Sequence, residues 1–232
     1  MIGDIRFELA EQLVRRIRKK GGAAIALEYD QRDEASIKSL VERAIAACGS
    51  ITGYFGNAAD IDPTKPPYSI DSGVASMDVA AWLDTYRVNT IGHAIAAREL
   101  IPHMMANGGG ALVFTSSDAA FTPFKRWIAY SSSKAGLATI ARHICLTHGK
   151  QGVRANVVSP GLIASKAFQD LVENERSKGI TDGTAGIVET INCPRLGEPR
   201  DVAGAVAFLL SGDGEYINGQ ALSVNGGSYC RP

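Results

Sequence analysis

The stretch "NGGGALVFTSS" (Asn107–Ser117) runs from a helix stop through an apolar strand to a polar strand end. Three consecutive glycines can cradle a phosphate. They also end helices, because glycine takes the left-handed conformation at a C-terminus without a steric penalty. An apolar run of strand length follows at once, so a helix stop explains the glycines better. The stretch therefore predicts a helix over roughly Val79 to Ala106, a buried strand over "ALVFT" (Ala111–Thr115), and the hydroxyls of Ser116 and Ser117 at its carboxyl end.

The same alternation recurs on both sides. Upstream, Arg6 to Lys20 puts Leu9, Leu13, Val14 and Ile17 on one helical face and stops at Gly21-Gly22. "AAIALEY" (Ala23–Tyr29) is of strand length, and "DEASIKSLVERAIAACG" carries Ile37, Leu40, Val41, Ala44 and Ile45 at helical spacing. "ITGYFGNAA" (Ile51–Ala59) reads as a strand weakened by Gly53 and Gly56. The proline-rich "DIDPTKPPYSIDSG" (Asp60–Gly73) reads as a loop. Downstream come a helix to about Gly149, the strand "VRANVVS", a helix over Asp201–Leu210 opened by Pro199, and the strand "QALSV". This order predicts an α/β fold, a doubly wound, mostly parallel sheet with helices on both faces, in one domain over residues 1–232. Ligands on such sheets bind at the carboxyl ends of strands. Asp30, Asn57, Ser116, Ser117, Pro160 and Gly161 all fall there.

Bulk composition excludes several functions. Lys+Arg and Asp+Glu balance at 24 each, which gives no reason to expect nucleic acid or an acidic membrane surface as partner. The basic cluster "RRIRKK" (Arg15–Lys20) suits the negative end of a helix dipole. The four cysteines form no CxxC pair and the four histidines lack ligand spacing, so no metal site is expected. The histidines read as ordinary helix or surface residues. Widely spaced cysteines fit a reducing compartment, and no signal peptide or long apolar run is present, so a cytoplasmic protein is expected.

"AYSSSK" (Ala129–Lys134) sets Tyr130 one helical turn before Lys134, on the same face. A free phenol has a pKa of about 10 and is a poor base at neutral pH. A nearby ammonium favours the phenolate, and a serine hydroxyl could hold a substrate oxygen while Tyr130 moves the proton. Ser117 is the strand-end candidate for that hydroxyl. Taken singly, each piece is an ordinary surface feature.

Together the pieces resemble the short-chain dehydrogenase/reductase family, essentially along the whole chain. The matching stretches are "GNAA" (Gly56–Ala59), "RVNTIG" (Arg87–Gly92), "VFTSS" (Val113–Ser117), "YSSSK" (Tyr130–Lys134), "VRANVVSPGLIAS" (Val153–Ser165) and "NGQALSVNGG" (Asn218–Gly227). The resemblance implies a Rossmann-like fold and an NAD(P)-dependent oxidoreductase that interconverts a small-molecule secondary alcohol and a ketone. It implies that Tyr130 is the general acid/base and that Lys134 lowers its pKa and binds the nicotinamide ribose. Ser117 would hydrogen-bond the substrate, and Asn89 would kink the long helix and hold a water leading from Lys134 to solvent. Asp30 would meet the adenine edge beside the Gln31 backbone, and Asn57, Ala58 and Ala59 would lie along the cofactor ribose. Pro160, Gly161, Ile163 and Ser165 would hold the nicotinamide end. A small substrate lobe is expected over about residues 166–192, and a homodimer or homotetramer by analogy. Phe121, Phe124 and Trp127 could wall an apolar or alicyclic pocket, or pack in the core or at an interface.

Departures from the family are clear. Gly56 stands where an Asn is usual, and Ala59 where a Gly is usual, which narrows the backbone's approach to a cofactor. The family's opening strand, glycine-rich turn, helix and second strand are expected to be missing, and no TGxxxGxG or GxGxxG pattern is present. Three consequences are expected. Cofactor binding is impaired. The preference between NAD and NADP, set at the end of the second strand, is unreadable. "AAIALEY" shifts to pair with "ITGYFG", or a partner covers that edge. A non-catalytic relative with an assembly or regulatory role is the alternative function.

Overall fold

The computed structural model describes residues 1–62, 65–122, 125–179 and 191–230. In chain order the elements are β1 (Ile2–Asp4), α1 (Phe7–Lys19), β2 (Ala26–Glu28), α2 (Glu34–Cys48), β3 (Gly53–Gly56), α3 (Val79–Tyr86), α4 (Gly92–Ala106), β4 (Gly110–Thr115), α5 (Ile128–His148), β5 (Val153–Pro160), α6 (Lys166–Ser177), α7 (Pro199–Leu210) and β6 (Ala221–Val224). A π-helical turn over Arg87–Ile91 joins α3 to α4, so the long helix forms as predicted but with one wide turn.

The glycines after α4 are a helix stop. Gly108 and Gly109 take φ values of 87° and 105°. The Gly109 N–H returns to the Met104 carbonyl at 2.8 Å, satisfying a helix-end acceptor. A side chain on Gly109 would lie 2.4 Å from the Gly152 carbonyl oxygen, so the turn before β4 is pressed against the turn before β5.

The strands β3, β4, β5 and β6 lie side by side in that order, all parallel. Successive side chains of β4 point to opposite faces. Leu112 and Phe114 join Ala155 and Val157 under α4 and α5, whereas Val113 and Val158 meet Val206 and Leu209 of α7. Covering both faces explains why β4 and β5 are nearly unbroken apolar runs. Each fully buried Phe114 or Leu112 side chain contributes about 1.5–3 kcal/mol by leaving water.

The N-terminal part corrects one expectation. Ile2–Asp4 forms a short strand that ends on Asp4, paired in parallel with β2 from Ile2↔Ala26 to Asp4↔Glu28. Because β2 pairs with β1, it does not shift to β3. The two sheets share no backbone pairing. They are tied instead by side chains: the Tyr29 and Tyr54 hydroxyls are hydrogen-bonded, and both rings join a cluster with Ile37, Leu40 and Ala96. The edge of β3 away from β4 pairs with no strand among the described residues. Helix α1 has only two short strands to cover. Ala10 and Val14 are buried, while Leu9 and Leu13 of the predicted apolar face are 46% and 37% exposed. Among the described residues no helix is long and apolar enough to cross a membrane.

Candidate active site

Helix α3 is capped by Asp78, whose carboxylate accepts the Ala81 N–H at 2.8 Å. The π turn that follows carries Asn89, fully buried. Its Nδ2 donates to Ser133 Oγ at 3.2 Å, and its Oδ1 accepts the Asp60 N–H at 3.2 Å. The next residue, Thr90, donates its hydroxyl to the Ser133 carbonyl at 2.9 Å. The wide turn thus ties the long helix to α5 immediately before Lys134, while Asn89 also holds the start of the 60–73 loop. A π turn at a candidate site is a common functional device.

Helix α5 carries Tyr130 and Lys134. Lys134 is 1% exposed, and its Nζ donates to the Thr115 carbonyl at the end of β4, 2.8 Å away. Ser116 Oγ donates to the Lys134 carbonyl at 2.9 Å, closing the same junction. Nζ sits 6.0 Å from the centroid of the Tyr130 ring. Burial strips the ammonium of water and lowers its pKa from 10.5 to about 7. Burial pushes the Tyr130 phenol pKa up and outweighs the nearby Ser117 hydroxyl, which favours the phenolate. Part of the Tyr130 surface stays open, so that upward push is smaller than full enclosure would give. Ser117 Oγ also accepts the Ala119 N–H at 3.2 Å, which fixes the hydroxyl at the strand end. The structure therefore gathers Ser117, Tyr130 and Lys134 at one place.

The end of β3 meets them through Asn57, whose Oδ1 accepts the Thr115 hydroxyl at 2.8 Å. Behind it lies His93, fully buried, not the ordinary helix or surface histidine expected. Its Nε2 lies 3.0 Å from the Ala58 carbonyl and its Nδ1 3.4 Å from the Tyr54 hydroxyl. Burial, then the nearby Lys134, hold its pKa near 3, so the ring is neutral. A carbonyl can only accept, so Nε2 carries the proton and Tyr54 donates to Nδ1. A side chain at position 56 would come within 2.7 Å of Nδ1, which accounts for Gly56 in place of the family's Asn.

The other expected residues lie at strand ends or in the segments after them, most with partners of their own. The Asp30 carboxylate accepts the Arg32 N–H at 2.8 Å, and Arg32 pairs with Asp60 and Asp84. The Gln31 backbone is pressed against the start of α4, where a Cβ on Gly92 would sit 2.5 Å from its carbonyl oxygen. Ala59 is partly buried, with no hydrogen bond that sets it apart. Pro160 pairs with Val224, and the Gly161 N–H donates to the Val224 carbonyl at 3.1 Å. Ile163 bridges to Gly197, and Ser165 Oγ accepts the Phe168 N–H at the start of α6. Phe121 packs against the core, whereas Trp127 stacks on Tyr68. Phe124 and residues 180–190 of the expected substrate lobe lie outside the described residues.

Sequence reasoning missed two residues beside Tyr130. Tyr68 meets the Tyr130 ring edge-on at 5.5 Å, and the buried Asp71 accepts the N–H groups of Ala129 and Tyr130. Both lie in the 60–73 loop, which the composition marked only as irregular. As a seat for a nicotinamide dinucleotide, the donor set suits the ribose and nicotinamide end. Lys134 Nζ, the Tyr130 hydroxyl and the exposed Asn57 amide converge there.

Known proteins resemble this chain along most of its length. The family model described as Enoyl-(Acyl carrier protein) reductase matches residues 1–229. The cis-4-hydroxycyclohexanecarboxylate dehydrogenase of Sinomonas cyclohexanicum is 31% identical over 98% of this chain and 85% of its own length. A 7alpha-hydroxysteroid dehydrogenase of Bacteroides fragilis is 29% identical over 98% of this chain and 83% of its own. A 7alpha-hydroxysteroid dehydrogenase solved with NADH and 7-oxo glycochenodeoxycholic acid superposes with a TM-score of 0.85 at 26% identity, covering 97% of this chain and 82% of the other.

Proposed function

Since the chain belongs to the short-chain dehydrogenase/reductase family of NAD(P)-dependent oxidoreductases, we propose that it interconverts an alicyclic secondary alcohol and its ketone, with Tyr130 moving the proton. The observation that carries this is Lys134, buried and held to the Thr115 carbonyl at the end of β4, with its Nζ 6.0 Å from the Tyr130 ring and Ser117 at the same strand end. The alicyclic class is supported by the relative acting on cis-4-hydroxycyclohexanecarboxylate and by the aromatic wall of Tyr68 and Trp127.

The nicotinamide, when bound, exchanges a hydride with the carbinol carbon. Lys134, Tyr130 and Asn57 would hold its ribose end, and Pro160, Gly161, Ile163 and Ser165 the nicotinamide end. Ser117 holds the substrate oxygen. In ketone reduction Tyr130 gives its proton to that oxygen, and in alcohol oxidation the phenolate takes it. The raised Tyr130 pKa keeps the proton on the phenol at neutral pH, so the resting site is set for reduction. Lys134 favours the phenolate only in its charged form, and with a pKa near 7 it is only partly charged at neutral pH. Asn89 would hold the water that leads from Lys134 to solvent.

Asp4, at the carboxyl end of β1, supports NAD over NADP. A carboxylate there accepts hydrogen bonds from a ribose and repels a 2′-phosphate. Fluorescence titration should give NADH binding tighter than NADPH, and a preference for NADPH would overturn this point. Turnover of cis-4-hydroxycyclohexanecarboxylate with millimolar NAD is the expected activity, and none with any alicyclic alcohol or ketone would contradict it.

A further inference from the structure

The first turn of a helix leaves backbone N–H groups without partners, and a nearby side chain usually caps them. Helix α5 has no such local cap. Trp127, just before it, has a φ of 62°, in the left-handed region that a bulky residue rarely adopts. The partners come from Asp71, far upstream in the chain. One carboxylate oxygen accepts the Ala129 N–H at 3.0 Å, the other accepts the Tyr130 N–H at 2.8 Å, and the Asp71 carbonyl accepts the Trp127 N–H at 3.1 Å. The carboxylate is 6% exposed and stands at the positive end of the helix dipole.

The same loop also sets the Tyr130 ring. Tyr68, three residues before Asp71, meets Tyr130 edge-on at 5.5 Å and stacks on Trp127 at 5.4 Å with planes 14° apart. Backbone and ring of Tyr130 are thus held from one short segment, opposite the Ser117 hydroxyl. We propose that Asp71 is a positioning residue that clamps the first turn of α5 and so aims the Tyr130 hydroxyl at Ser117. It touches neither substrate nor cofactor. Its catalytic consequence rests on Tyr130 being the proton-transfer group. A misplacement of the order of 1 Å costs about a hundredfold in rate.

The test compares Asp71→Asn and Asp71→Ala with Ser211→Ala, which removes the cap of the turn after α7, where Ser211 Oγ accepts the Asp213 N–H at 3.2 Å beside Arg154 at the opposite, amino end of β5. Activity with cis-4-hydroxycyclohexanecarboxylate and NAD is measured beside the NMR signal of Tyr130 in protein carrying Cζ-labelled tyrosine. That signal is assigned by its loss in Tyr130→Phe. The expected result is a fall in kcat of about tenfold or more in Asp71→Asn, with KM nearly unchanged, and a shifted Tyr130 signal. Ser211→Ala should move neither. Equal kcat and an unmoved Tyr130 signal in Asp71→Asn would overturn the proposal, as would an equal effect of Ser211→Ala. Asp71→Asn keeps one acceptor oxygen, so it decides the matter if Asp71→Ala does not fold. Should Tyr130→Phe remain fully active, the assignment of proton transfer to Tyr130 fails, and the NMR signal alone still decides whether Asp71 positions that ring.

Discussion

Lys134→Met should make the protein more stable and less active. The lysine pKa falls from 10.5 in water to about 7 in the folded chain. At about 1.4 kcal/mol for each pH unit, burying the amine costs roughly 4 kcal/mol at pH 7. Between pH 7 and 10.5 the unfolded chain binds the proton and the folded chain does not, so stability rises with pH across that window. The penalty is complete below pH 7 and falls to roughly 2 kcal/mol by pH 9. Methionine fills a similar volume but leaves the Thr115 carbonyl without its 2.8 Å donor, a loss of about 1–3 kcal/mol. The variant should therefore gain roughly 1–3 kcal/mol at pH 7 and nearly nothing at pH 9. Urea unfolding of both proteins at pH 7, 8 and 9 measures this. A variant less stable at pH 7, or a stability difference that does not change with pH, would refute the reasoning that Lys134 is held by burial against its own solvation.

Other outcomes follow from the same site. Alcohol oxidation should speed up as pH rises above neutrality, because the phenolate of Tyr130 is the base and burial raises its pKa, whereas ketone reduction should stay flat or decline. Initial rates in both directions across pH 6–10 check this. Gly56→Ala should destabilise by about 1–3 kcal/mol, because the added methyl meets His93 Nδ1 at 2.7 Å and Tyr54 at 2.9 Å. His93→Ala should relieve only part of that clash in the double variant, because Tyr54 and Phe114 at 3.0 Å still meet the methyl, and denaturant unfolding of the cycle measures it.

Periodicity and punctuation carried most of the fold into view. "ALVFT" and "VRANVVS" read as buried strands because both faces are covered, and Gly108-Gly109 read as a helix stop because little else ends a helix so abruptly. The strand Ile2–Asp4 escaped because three residues show no period and only the pairing to Ala26–Glu28 defines it. For the site, spacing and strand ends showed that Tyr130, Lys134 and Ser117 could come together, while their roles were read only from the family resemblance. Asp71 was not, because it caps a helix that begins 57 residues later. Nor was His93, whose role follows from the space left by Gly56 on another element.

The central claim is that Tyr130 moves the proton between substrate and solvent. The most direct measurement is the rate of NADH formation from cis-4-hydroxycyclohexanecarboxylate at saturating NAD, comparing the natural sequence with Tyr130→Phe. Removing only the phenolic oxygen should lower that rate by about 10²–10⁴ while the fold and the Trp127–Tyr68 stack persist. A phenylalanine variant that turns over as fast as the tyrosine enzyme would contradict the account.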